Sequence, residues 1–288
     1  MLPDNFSFGV MQDHEAELLN EWAKIEGWNP GLSDQKVARD YDPEAFIALR
    51  KYDEFIGGGS IISYGGLYGF MGLFIMRQDY RGKGLGAKLW QYRRDRLLSR
   101  LQPKAAIGMD GVFNMAPFYA RGGFSLSHRD LRYEGIAKGS KGSKASNATA
   151  LTNIDFETLV AYDNKHFPVQ RSQFIGAWVN QKGVIGYAVL KNDILVGYGI
   201  ARPCHQGFKI GPLFANSTTI AESILSSLLA DIKGELVQID IPEPNIAALN
   251  LAKKFNLDES FGCARMYLGN LGAQPLQNIY SVTSYEFG

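Results

Sequence analysis

The chain repeats itself. Gly57, Gly59, Leu73 and Phe74 recur as Gly197, Gly199, Leu213 and Phe214, all at one offset of 140 and without a gap. Farther along, Asn114 recurs as Asn245 after a shorter connection. Self-similarity at a fixed offset marks one architecture used twice. The 288 residues suit two domains at ~150 residues each.

Both copies spell an α/β order of elements. In the first, a short strand at 6–11 precedes a helix at 13–26, whose Leu18, Leu19, Trp22 and Ile25 recur at helical spacing. Trp28-Asn29-Pro30-Gly31 breaks that helix, and a shorter one follows near 34–40. Strands fit 45–51, 55–63 and 67–76, with turns at Asp53-Glu54 and Gly65-Gly66. Then come a helix at 87–101, a strand at 105–109, a short helix at 114–121 and a strand at 124–133. Gly, Ser and Lys dominate 135–147, the composition of a linker. The order then returns, with helices at 155–166 and 171–181 and strands at 184–191, 194–202 and 207–214. A helix at 219–233, a strand at 236–241, a helix at 245–255 and strands at 261–268 and 279–287 complete it. The expected fold is two tandem units at 1–137 and 149–288, joined at 138–148. Each is a mixed, mostly antiparallel sheet flanked by helices.

Composition narrows the class. Apolar residues make up 45% and charged residues 20%, enough to bury a core and too apolar for disorder. Basic and acidic residues number 30 and 29, so charge offers no argument for nucleic acid or an acidic membrane as partner. Cys204 and Cys263 are too few for a disulfide scaffold or a four-thiolate zinc site. His14, His128, His166 and His205 are scattered, so no metal is expected. The first residues lack the regions of a signal peptide, which makes a cytoplasmic monomer or homodimer the expectation and gives the sequons at Asn147 and Asn216 no weight. Residues 55–76 carry no charge and are long enough to span a bilayer. Their seven glycines, with Tyr64 and Tyr68 near the centre, make them a hairpin instead.

Arg81-Gly82-Lys83-Gly84-Leu85-Gly86 lies between a strand and a helix. A helix start offers unpartnered backbone N–H groups and a partial positive charge. Glycines let that backbone approach a diphosphate and permit positive φ. A plain glycine-rich turn would carry the same letters. A P-loop is excluded, because Lys83 is followed by Gly84 rather than Ser or Thr. A dinucleotide fingerprint is nominally present in Gly82, Gly84 and Ala87. Its strand should run straight into the first glycine, and here the polar Arg77-Gln78-Asp79-Tyr80 intervenes.

Residues 73–89 resemble motif A of the GCN5-related N-acetyltransferases (GNATs). Arg81, Gly84 and Gly86 match that family's Arg/Gln-x-x-Gly-x-Gly/Ala, and Tyr80 is the usual aromatic before the arginine. The order of elements over 5–135 is also that family's. Asn114-Met115-Ala116-Pro117-Phe118-Tyr119-Ala120-Arg121-Gly122-Gly123-Phe124 resembles a second family segment, with the spacing slightly shifted. The resemblance implies acetyl-coenzyme A as co-substrate, held by Phe74, Ile75, Met76, Arg81, Gly82, Lys83, Gly84, Leu85, Gly86, Ala87 and Asn114. It also implies direct attack on the thioester by a primary amine of a small molecule. Backbone N–H groups near 74–76 would hold the carbonyl oxygen, and Tyr119 would protonate the departing thiolate. A positioned phenol is a recognised general acid; a half-buried helix tyrosine packed on the sheet is the plainer reading. Neither cysteine lies in the first copy, so a covalent route is not expected. No base is legible, since 67–76 holds no acid. Glu286, His205 and Asp34 are the candidates, at positions that suit structural or surface roles as well.

In the second copy the corresponding loop reads Phe214-Ala215-Asn216-Ser217-Thr218-Thr219. The arginine and all three glycines are gone, and Asn250 stands where the repeat places the tyrosine. This half is expected to be a degenerate copy that binds no coenzyme A and walls the acceptor site instead. Through Trp28-Asn29-Pro30-Gly31 and Val282-Thr283-Ser284-Tyr285-Glu286 the chain resembles tandem GNATs with a divergent second half. Trp28, Asn29, Tyr198, Arg202, Cys204 and His205 are the candidate acceptor-lining residues. A protein that senses acetyl-coenzyme A without turning it over is the alternative.

Overall fold

The computed structural model describes residues 2–139 and 147–288; of the expected linker, 140–146 lie outside the described residues. The first half runs β1 (Phe6–Val10), α1 (Asp13–Ile25), α2 (Asp34–Tyr41), β2 (Phe46–Lys51), β3 (Glu54–Tyr64), β4 (Tyr68–Met76), α3 (Leu85–Leu98), β5 (Ala106–Val112), α4 (Ala116–Arg121) and β6 (Ser125–Ile136). The second runs β7 (Ala148–Ala150), α5 (Phe156–Asp163), α6 (Ser172–Val179), β8 (Ile185–Lys191), β9 (Ile194–Pro203), β10 (Phe208–Ala215), α7 (Thr218–Asp231), β11 (Leu236–Pro242), α8 (Ile246–Lys254), β12 (Asp258–Leu268) and β13 (Ile279–Ser281). Both halves are thus α/β units, as the repeat predicts.

The repeat in the letters is a repeat of hairpins. β3 and β9 begin 140 apart, as do β4 and β10. β5 and β11 begin 130 apart, as do α4 and α8. The counterpart of Tyr119 is therefore Leu249, one residue before the expected Asn250. Local chemistry supports the elements. Glu15 and Gln12 cap the start of α1 reciprocally, and Ala16, Leu19 and Ala23 form its buried face. Ser217 caps α7, a helix whose Ile224, Leu225 and Leu228 are fully buried.

The strands join into one sheet in the order β1-β2-β3-β4-β5-β12-β6-β11-β10-β9-β8-β7, with β13 on β10. The halves exchange strands. β12 pairs with β5, at Met266 opposite Met109, and β6 pairs with β11, at Tyr133 opposite Ile239. The expected boundary near 137–149 therefore marks a connection in the chain and not a break in the sheet. Buried ion pairs lie across the exchanged edges. Arg132 of β6 grips Asp240 of β11 at 2.7 and 2.9 Å, and Arg265 of β12 grips Asp110 of β5 at 2.7 and 2.6 Å. Charges buried this deeply need such bidentate partners.

Each half contains a notch between its two parallel strands. β4 and β5 pair from Tyr68 opposite Ala106 to Met71 opposite Met109, then diverge. β10 and β11 pair from Phe208 opposite Val237 to Ile210 opposite Ile239, then diverge in the same way. The second notch is filled by β13, which pairs with β10 at Leu213 and Phe214. The Ser281 hydroxyl donates to the Ile210 carbonyl at 2.8 Å, and the Val282 N–H donates to the Asp240 carbonyl at 2.9 Å. The expected strand at 279–287 is only three residues long. β13 runs antiparallel to β10 towards the closed end of the notch, where β10 and β11 pair with each other and leave no edge. The chain then leaves the sheet and crosses to the first half. There the Ser60 hydroxyl donates to the Glu286 carbonyl at 3.3 Å and the Tyr64 hydroxyl to the Phe287 carbonyl at 2.7 Å. All of 279–288 is buried, with the Phe287 ring against Phe46 and Trp178.

Candidate active site

The first notch is open. Between the diverging strands β4 and β5 lies a cavity of about 390 Å³, a size suited to part of a small ligand. Its shape depends on a bulge in β4. Ser60 of β3 faces Gly72, whereas Gly58 faces Ile75, so β4 carries one extra residue there. Leu73 absorbs it with a φ of 48°. A leucine in that region costs about 1–2 kcal/mol, and a bulge frees a backbone unit from the ladder.

Arg93 of α3 braces the bulge from below. Its Nη2 donates to the carbonyls of Ser60, at 2.5 Å, and Gly72, at 2.6 Å. Its guanidinium sits 5.3 Å from the centre of the Phe74 ring. Burial, with no carboxylate in reach, pushes its pKa down to about 9. The close approach explains Gly59, since a Cβ there would stand 2.4 Å from the Arg93 Cζ. Arg93→Met removes the donor and leaves two buried carbonyls short of it. A loss of about 1–3 kcal/mol in stability is expected, measured as a lower urea midpoint at unchanged slope.

The loop from Arg81 to Gly86 closes one side. Gly82 and Gly84 have φ of +72° and +76°, and nothing lies within 4 Å of where their Cβ atoms would be. Gly84 directly precedes α3. Bare backbone at a helix start facing open space is a cradle that fits a diphosphate. The Arg81 Nε donates to the Met76 carbonyl at 2.8 Å, which ties the loop to the end of β4.

Tyr119 closes the other side. Its ring packs on Trp90, and the bare Gly111 gives it room: a Cβ there would stand 2.4 Å from the ring. Burial pushes the phenol up to about 12, with the Arg93 charge pulling it partly back. It therefore keeps its proton at neutral pH.

The exchanged strands and the final segment supply the remaining wall: Phe261 and Cys263 from β12, Arg132 from β6, then Tyr285 and Glu286. Arg132 lies 5.0 Å from the centre of the Tyr285 ring. Trp28 lines the cavity too, its carbonyl accepting from Arg132 at 3.0 Å and from the buried Lys209 at 3.2 Å. The neighbouring Asn29 takes a φ of 48° and bonds Gln206 and Gln238, so the second half sets the position of this loop.

Sequence reasoning and geometry part at several residues. Phe74, Ile75, Met76, Arg81, Gly82, Gly86, Ala87, Tyr119 and Trp28 line the cavity; Lys83, Gly84 and Leu85 flank it along the loop. Asn114 does not line it, being exposed in a 3-10 turn. Asn29, Tyr198, Arg202, Cys204 and His205 are also absent from its wall. Tyr198 donates to Asp163 at 2.6 Å, Arg202 to Asp34 at 2.9 Å, Cys204 bridges Gly31, and His205 faces Asn20 at 3.2 Å. Strand exchange is the reason: it puts β12 beside β5 and leaves β9 on the far side of β11 and β10. The same exchange brings Cys263 into the first cavity, against expectation. Burial and the neighbouring Asp110 push its thiol well above the usual range, so it is not a thiolate nucleophile. Sequence reasoning missed Arg93, Arg132 and Phe261. Of these only Arg93 carried a local signal, an arginine among the apolar positions of α3. Among the described residues no group of three or more His, Cys, Asp or Glu is placed to hold a metal ion, and no helix is long and apolar enough to cross a membrane.

Comparison with known proteins agrees with this architecture. The acetyltransferase (GNAT) family model matches residues 10–124, and an acetyltransferase (GNAT) domain model matches 159–281. The chain is a tandem member of the GNAT family, and acyl transfer is the chemistry of its named relatives. It is similar to holothin acyltransferase of Pseudoalteromonas sp. (strain SANK 73390), 26% identical over 294 residues and 98% of each chain. Its fold matches a candidate acetyltransferase from Pyrococcus horikoshii with a TM-score of 0.84, at 22% identity over 100% of this chain and 98% of that one. It also matches a tandem GNAT protein from the clavulanic acid biosynthesis pathway with a TM-score of 0.61, at 12% identity over 93% and 99%.

Proposed function

We propose that the protein is an N-acetyltransferase that moves the acetyl group of acetyl-coenzyme A onto the primary amine of a small molecule. One observation carries the reading: the glycine cradle, the β4 bulge and the Tyr119 phenol converge on one open notch, whose counterpart is plugged. The diphosphate would lie on the bare backbone of Gly82 and Gly84 before α3. The thioester would lie at the bulge, where backbone freed from the ladder is available to its oxygen. Tyr119 holds a proton that its raised pKa does not release to water, and delivers it as the carbon–sulfur bond breaks and the sulfur gains charge. Trp28, Phe261 and Tyr285 offer aromatic surface to the acceptor.

The test is release of free thiol from acetyl-coenzyme A across a panel of primary amines. Amine-dependent release supports the reading. Tight coenzyme binding with no release from any amine favours the sensor. The plugged notch yields a further expectation: calorimetric titration with coenzyme A should give one equivalent per chain. A value of two would mean that β13 yields to the ligand.

A further inference from the structure

β4 carries no acid, so the group that takes the proton from the amine must come from elsewhere. Three carboxylates line the cavity: Glu26, Asp110 and Glu286. Glu26 is held by Arg81, and Asp110 is gripped on both oxygens by Arg265. The two remaining candidates from the sequence are elsewhere engaged, Asp34 with Arg202 and His205 with Asn20. Glu286 differs. It is 5% exposed, yet its Oε2 is buried without any hydrogen-bond partner. A carboxylate oxygen so placed is costly unless a ligand completes it.

Its backbone stands on the bulge itself. A Cβ on Gly72 would lie 2.4 Å from the Glu286 carbonyl oxygen, so only glycine admits this contact. The Ser60 hydroxyl holds that same oxygen, and the Glu286 N–H donates to Ser284 at 3.1 Å. The charges facing the side chain are Arg132 from β6 and Arg202 from β9, each already paired with an acid. Tyr285, Tyr119, Cys263, Asp110, Arg93 and the paired Glu26 and Arg81 are the other titratable groups of the wall.

We propose that Glu286 is the general base of the first notch, delivered by the segment that plugs the second. This rests on the acetyl-transfer reading above. As the amine nitrogen bonds to the thioester carbon, its proton passes to the Glu286 carboxylate, which lines the notch. The carbon–sulfur bond breaks with its electron pair going to sulfur, which takes the Tyr119 proton. Solvent then removes the proton from Glu286 and restores that of Tyr119, so the net movement is one proton from nitrogen to sulfur. The second half is thereby a working part of the site, although its own notch is closed.

The experiment compares wild type, Glu286→Gln and Glu286→Asp in the full chain, with acetyl-coenzyme A and benzylamine, tryptamine and spermidine as probe amines. Glu286→Gln should lower kcat ~10²-fold at neutral pH, with the dissociation constant for coenzyme A unchanged within about twofold. Its rate should climb with pH as free amine accumulates, and Glu286→Asp should restore part of the lost rate. Retention of a third or more of the wild-type kcat by Glu286→Gln overturns the assignment. If Glu286→Gln lowers the melting temperature and coenzyme affinity together, and Glu286→Asp does not rescue the rate, the residue is structural and the assignment also falls. Wild-type protein that binds coenzyme A but releases no thiol with any probe amine overturns the transfer reading, and this one with it.

Discussion

Gly84→Glu is expected to abolish measurable coenzyme A binding while the protein stays folded. Gly84 sits at a φ of +76° with open space around its absent Cβ, immediately before the fourteen-residue helix α3. A glutamate there strains the backbone by about 1–2 kcal/mol. It also sets a carboxylate where a diphosphate would sit. A like-charge pair at ~4 Å and an effective dielectric of ~20 costs about 4 kcal/mol, or roughly 10³-fold in affinity. Gly84→Ala keeps the strain and omits the charge, so its loss should be much smaller. Calorimetric titration of both variants with coenzyme A measures the difference. Equal, near-native affinities would show that no diphosphate lies on this loop.

Tyr119→Phe is expected to lower kcat by ~10²–10³-fold with little change in the affinity for coenzyme A. Phenylalanine preserves the ring contacts with Trp90 and the fit over Gly111, so only the proton is lost. Because burial pushes the phenol to about 12, its own ionisation cannot shape the rate between pH 6 and 10. The variant should therefore lose rate evenly across that range. A stopped-flow record of thiol release provides the measurement. A variant as fast as wild type would leave Tyr119 only its packing role against β5.

How much of this was legible in the letters depends on the range of the interaction. The hairpins β3–β4 and β9–β10 follow from glycine turns and short apolar runs, and their common offset of 140 survives intact in the strand starts. The cradle at 81–86 is likewise a local object, since positive φ at Gly82 and Gly84 needs only the glycines and the helix start behind them. Its absence from 214–219 could be read the same way. The acceptor wall was not legible. Tyr198 and Arg202 were reasonable choices for two sheets packed side by side, and they sit on central strands as expected. They lie elsewhere because β6 and β12 trade places, and an antiparallel strand carries no local mark of which edge it will join.

By itself the sequence determined two copies of one α/β unit, a phosphate-suited loop in the first, and a second copy stripped of it. Those properties live in turns, helix starts and glycine torsions, which act over a few residues. Only the tertiary structure decided that the two units share one sheet, that β13 closes the second notch, and that Glu286, from the far end of the chain, stands at the bulge beside Gly72. Long-range pairing chooses among edges by burial and by ion pairs such as Arg132–Asp240 and Arg265–Asp110, whose members lie more than a hundred residues apart. No periodicity in the chain records that choice.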